Sequence, residues 1–141
     1  MIVVPVHVQP DHFDWPCANV LIGLGDPYST AAAKAFELEA ENKQIDVCAK
    51  VEYLSQSGDM KAAIKAIIDN RCCQVTVVFG QAPDLTSLLL EAHKQSYVGE
   101  WIVGESIVAN LGGIVKDLKR HIKPESSVHE LLRGMRKFTL E

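Results

Sequence analysis

The chain lacks most features that disclose a function at once. No apolar run reaches the length of a bilayer span. No Gly-Lys-Ser/Thr follows its glycines, which excludes a phosphate-cradling P-loop. No serine sits in a G-x-S-x-G elbow: Gly104-Glu105-Ser106-Ile107-Val108 comes nearest and has no second glycine. Cys17, Cys48, Cys72 and Cys73 have no zinc spacing, and a vicinal pair is not a C-x-x-C motif. No Asn-x-Ser/Thr sequon exists, so the sequence gives no support for an exported, glycosylated history. With 14 basic against 18 acidic residues and a net charge of −4, no basic stripe marks a nucleic-acid or anionic-membrane partner.

What remains is a globular composition, 48% hydrophobic and 23% charged over 141 residues, enough for one domain with a core and too short for two. Three helices are expected. The first follows Ser29 as N-cap and runs through TAAAKAFELEAENK to about Lys43. The second begins near Asp59, with Met60, Ala63, Ile64, Ile67 and Ile68 on one face. The third starts at PDLTSLLLEAHKQ, with Asp84 as cap and Leu85, Leu88, Leu89 and Ala92 inward.

Between them lie ANVLIGL, IDVCAKVEY, QVTVVFG and EWIVG, short β-rich runs of which the first and third are almost wholly apolar. Strands covered on both faces read this way. After Gly104 the pattern weakens: GGIVKDLKRHI reads as helix, SSVHELL carries a Ser127/Glu130 capping box, and RGMRKFTL reads as a last strand. Strands alternating with helices predict an open, mostly parallel sheet with helices on both faces, a three-layer α/β lobe of flavodoxin-like order. Residues 1–12 are expected to be an irregular lead-in and 13–141 the single lobe.

In such a sheet, ligands bind beyond the carboxyl ends of the strands. Those loops are GLGDPYS, YLSQSGD, GQAPD and GESIVAN, rich in hydroxyl, amide and carboxylate groups and poor in catalytic sets. Gly23-Leu24-Gly25 opens like a dinucleotide fingerprint, with Glu52 placed to mimic its ribose-binding acid. Tyr28, however, replaces the third glycine, where a bulky side chain would block helix–strand packing. His93 and His129 fall in helices and read as solvated. His7, Asp11, His12 and Asp14 cluster near the start without a ligand spacing, so a proline-rich lead-in explains them more simply than a metal. Neither hydrolytic nor redox machinery is expected, nor any cofactor.

The start, MIVVPVHVQPDHFDW, has no basic region and carries prolines through its apolar part, so it does not read as a signal peptide. The chain as written is expected in the cytosol if complete, and extracellular if it is a piece of a receptor. The cysteines read as ordinary strand-end residues among apolar neighbours. A disulfide between Cys48 and one of the vicinal pair would need an oxidising compartment.

The run HFDWPCANVLIGLGDPYSTAAAKAFELEAENKQIDV resembles the start of the second lobe of type I periplasmic-binding-protein-like domains, the ligand-binding regions of natriuretic-peptide-type and class C receptors. Phe13-Asp14-Trp15 stands for the family's Phe-x-Trp, and Asp26-Pro27-Tyr28 for its acidic-aromatic loop. Leu88 to Leu90, Gly99, Trp101-Ile102 and Gly104-Glu105-Ser106 continue the series, so the resemblance covers about Phe13 to Phe138. The first lobe is absent, as are a membrane span and a kinase or cyclase domain.

The resemblance implies a non-enzymatic ligand-sensing module, one lobe of a clamshell that closes on a small extracellular ligand such as an amino acid or small anion. It implies ligand contacts at Asp26, Tyr28, Tyr53, Ser55 and Gln81, and at Glu105 or Ser106. Each of these residues also reads simply as a loop cap or turn former. The helix after Tyr28 is expected to aim free backbone N–H groups at a ligand carboxylate, and Asp26 or Glu105 to pair a ligand amine. Trp101 and Phe79 read as core. The partners implied are the ligand and either a missing first lobe or a second copy of the chain, with no nucleic acid and no membrane contact. The alternatives are a free-standing flavodoxin- or Rossmann-like domain binding a nucleotide or flavin, and an oligomerisation lobe.

Overall fold

A computed structural model describes residues 5–7, 16–71, 73–133 and 135–139. The strands are β1 (Pro5–His7), β2 (Cys17–Leu24), β3 (Asp46–Leu54), β4 (Val75–Phe79), β5 (Glu100–Val103) and β6 (Met135–Thr139). The helices are α1 (Pro27–Asn42), α2 (Lys61–Asn70), α3 (Ala82–Lys94), α4 (Glu105–Ala109), α5 (Leu111–His121) and α6 (Glu125–Leu132). All pairings are parallel, and the sheet order is β1-β6-β5-β4-β2-β3. Counted from β2, the five later strands follow the flavodoxin order. Within the expected irregular lead-in, residues 5–7 are a strand in register with β6. The Phe13-x-Trp15 motif and Asp11, His12, Asp14 and Cys72 lie outside the described residues, as does the side chain of His7.

The pleat sorts side chains to two faces. On one, Ala18, Val20, Ile22, Val75, Val77, Phe79 and Ile102 pack against Ala32, Ala33, Phe36 and Ala40 of α1. On the other, Leu21, Tyr53, Val78, Trp101 and Val103 meet the apolar faces of α2, α3, α5 and α6. Three layers result, and every residue of β4 is buried, as its unbroken apolar run requires. The inward residues expected of the second and third helices are buried, except Ile68, which is half-buried, and Trp101 and Phe79 are core.

Helix starts differ from the sequence reading. Asp26, not Ser29, caps α1, because Pro27 takes the first helical position, where its missing N–H costs nothing. Gln81 caps α3, and Asp84 sits at the third position as the return arm of a capping box. Met60 precedes α2, while Asp59 accepts from the Lys61 amide at 3.3 Å. Ser127 and Glu130 form no capping box, because α6 already begins at Glu125 after Pro124. The GESIVAN stretch, expected as a loop, contains the short helix α4.

Of the described cysteines, Cys17 opens β2, Cys73 lies just before β4 and Cys48 lies within β3, and none is a thiol. Cys17 and Cys73 form a disulfide, Cys48 is disulfide-bonded as well, and no described cysteine is free. Neighbouring β2 and β4 bring Cys17 and Cys73 together across 56 residues of sequence. The fully buried Asn19 fixes the same segment, donating from Nδ2 to the Cys73 carbonyl at 2.8 Å.

Candidate functional site

The carboxyl ends of β2, β3 and β4 form one continuous edge. β2 leaves the sheet through Gly25, whose φ of +91° suits glycine. Asp26 then spends both carboxylate oxygens on the α1 terminus: Oδ1 accepts the Tyr28 amide at 3.2 Å and Oδ2 the Ser29 hydroxyl at 2.7 Å. Two positions of the expected anion cradle are therefore spent or lacking. Pro27 has no N–H, the Tyr28 amide is used, and a carboxylate already occupies the helix end. Tyr28 itself points outward, 69% exposed, so it does not obstruct helix–strand packing. A phosphate is disfavoured at this turn by charge, not by bulk.

Tyr53 is spent inside the fold. It is 4% exposed, and its hydroxyl donates to the Phe79 carbonyl at 3.2 Å, lying over Gly23 and Gly80. A Cβ at Gly23 would meet the hydroxyl at 3.0 Å, and one at Gly80 would overlap it. These glycines thus make room for a phenol rather than for a pyrophosphate. Burial first, then the Asp84 and Asp26 carboxylates, push this phenol far above its usual range. The unfolded chain releases the proton near pH 10 while the folded chain keeps it, so stability is full below about pH 10 and falls above it. Urea midpoints measured across that range should decline with pH in the wild type and decline less steeply in Tyr53→Phe.

Beside Tyr53, the chain turns through Ser55 and Gln56, the latter at φ +64°. Asp84, 1% exposed, anchors this turn to α3. Its carboxylate accepts the Ser55 hydroxyl at 2.8 Å, the Gln56 amide at 2.7 Å and the Gln81 amide at 3.3 Å. Gln56 Nε2 donates to Gln81 Oε1 at 2.9 Å, closing the network at the surface. A buried carboxylate with three donors is well placed, and removing its charge strands them. Asp84→Asn is expected to cost about 1–3 kcal/mol and to speed hydrogen exchange of the Gln56 amide, read by urea denaturation and NMR.

The structure thus brings Tyr53, Ser55 and Gln81 together, with Asp26 close enough to act on Tyr53. Tyr28 stands apart on the outer rim. Glu105 and Ser106 open α4 after Gly104, and their side chains are not described. Two members of the edge escaped sequence reasoning. Asp84 looked like a local cap, and its partners Ser55 and Gln56 lie 28 or 29 residues away. The other is an apolar pair: Leu24 and Leu54 stand opposite each other in register, 40% and 63% exposed. On the α3 side a groove of about 440 Å3 opens between Pro83, Thr86, Asn110, Gly113 and Ile114. It arises from the packing of α3 beside α5, which no local motif announces. Among the described residues, no group of three His, Cys, Asp or Glu could hold a metal ion.

No family model matches the chain, and none of the curated proteins matches it.

Proposed function

We propose that the chain is a non-enzymatic ligand-sensing lobe, one half of a clamshell that closes on a small molecule at the carboxyl edge of its sheet. The observation that carries this reading is the composition of that edge. Among the described residues, three of the five exposed large apolar side chains, Leu24, Tyr28 and Leu54, lie on it, beside the hydrogen-bonded turn fixed by Asp84. A rigid polar turn next to uncovered apolar groups suits a surface completed by a second lobe. The resemblance to type I periplasmic-binding-protein-like receptor lobes supports it. The disulfides support an oxidising, extracellular setting.

The flavodoxin-type strand order favours a second reading, a nucleotide- or flavin-binding domain. The carboxylate and proline at the start of α1 weigh against it. A thermal-shift screen separates the two, because a ligand bound only by the folded chain raises its melting temperature. Half a site predicts a cooperative melt with little or no shift from amino acids, sugars or small anions. Shifts confined to nucleotides or flavins would overturn the sensor reading.

A further inference from the structure

We propose that β3 is a self-pairing edge, through which two copies of the chain associate as antiparallel neighbours about a twofold axis at Val51. This inference rests on β3 alone and not on the sensor reading.

Among the described residues β3 ends the sheet on one side, and at nine residues it is the longest strand. The direction of its backbone groups follows from its partners. The Ser55 amide donates to the Leu24 carbonyl, so Ser55 faces β2, and by the two-residue period Tyr53 and Val51 do too. The N–H and C=O groups of Lys50, Glu52 and Leu54 therefore face away from the sheet. The register shift at Cys48, between the Ala18–Val47 and Asn19–Ala49 pairs, bounds the open stretch at its start, and the Cys48 carbonyl there accepts from Asn70 Nδ2 at 3.4 Å.

Edge strands are usually blunted by charge, and Lys50 and Glu52 at first sight do that here. Their signs and spacing say more. Between antiparallel copies, an axis at Lys50 would oppose lysine to lysine, and an axis at Glu52 glutamate to glutamate. An axis at Val51 sets each Lys50 opposite the other copy's Glu52, twice over, and these are the residues whose backbone groups point outward. Oppositely charged cross-strand pairs stabilise and like pairs destabilise, so the charges select one register. On the opposite face the half-buried Val51 would meet its own copy. Lys50 also reaches Glu37 of α1 at 3.1 Å, which holds the ammonium above the edge without neutralising Glu52. So short a ladder buries little area, and the association is weak and concentration-dependent.

Sedimentation of the wild-type chain over a concentration series, at low and high salt, is the test. A monomer–dimer equilibrium weakened by salt is expected. Lys50→Glu and Glu52→Lys should each weaken it by on the order of tenfold or more, since each turns two attractive pairs into two repulsive ones. The double swap K50E/E52K should restore it. Both substitutions change exposed side chains, and melting curves of all three variants confirm the fold. In the wild type, exchange of the Lys50 and Glu52 amides should slow with concentration. A monomer at every concentration, or a dimer indifferent to both reversals, or a double swap no better than the singles, would overturn the proposal.

Discussion

A chain carrying Cys17→Ala and Cys73→Ala is expected to lose about 4 kcal/mol of stability, the loop-entropy value for a closure of this length. The bond spans 56 residues and encloses α1, β3 and α2, so its loss frees a large part of the unfolded chain. Against the roughly 5–15 kcal/mol that holds a typical domain together, this is a large fraction. Asn19 would still donate to the Cys73 carbonyl, so the β4 lead-in should stay in place while the chain remains folded. Urea denaturation of the double variant should show a midpoint lower by about 2 M and a steeper slope, because the freed unfolded chain exposes more surface. An unchanged midpoint would mean that the disulfide adds nothing to a core already sufficient without it.

The second large effect is expected at Gly80. An alanine Cβ there would overlap the Tyr53 hydroxyl, in a site where Tyr53 is buried and bonded to the Phe79 carbonyl. Either the ring moves and leaves that carbonyl unpaired, or β3 and β4 shift apart. The expected cost is about 3 kcal/mol. Gly104→Ala is the control, because its Cβ meets nothing within 4 Å. Tyr53→Phe removes the overlapping atom, so Gly80→Ala should cost less in the Tyr53→Phe background than alone. A double-mutant cycle by urea denaturation reads this coupling. Strict additivity would mean that Gly80 is constrained by something other than the phenol.

The legible parts of the fold were those written locally. VTVVF is apolar and β-branched throughout, so a strand buried on both faces was the natural reading. Met60, Ala63, Ile64 and Ile67 marked the inward face of α2 by spacing alone. The helix starts were less legible because several residues compete to cap. Asp26 won over Ser29 because Pro27 fixes the first helical φ, and Ser29 then became a donor to Asp26.

Features that depend on which strands become neighbours were not legible. The disulfide needed β4 to lie beside β2, and the role of Asp84 needed the β3 turn to reach α3. The same dependence explains Tyr53. Its place in a strand-end loop suggests a ligand contact, whereas Gly23 in β2 and Gly80 just after β4 leave it room to lie inward. Short elements such as α4 and β1 carry too few residues for any periodicity to show.

A sensor lobe should meet its ligand at the carboxyl edge and should hold it loosely when alone. An isotope-labelled chain titrated with amino acids, sugars and small anions reports both through backbone amide shifts. The expected result is weak, fast-exchange perturbation confined to Asp26, Tyr28, Ser29, Ser55, Gln56 and Gln81. Tight binding of a nucleotide or flavin, or perturbations gathered away from the ends of β2, β3 and β4, would contradict the assignment.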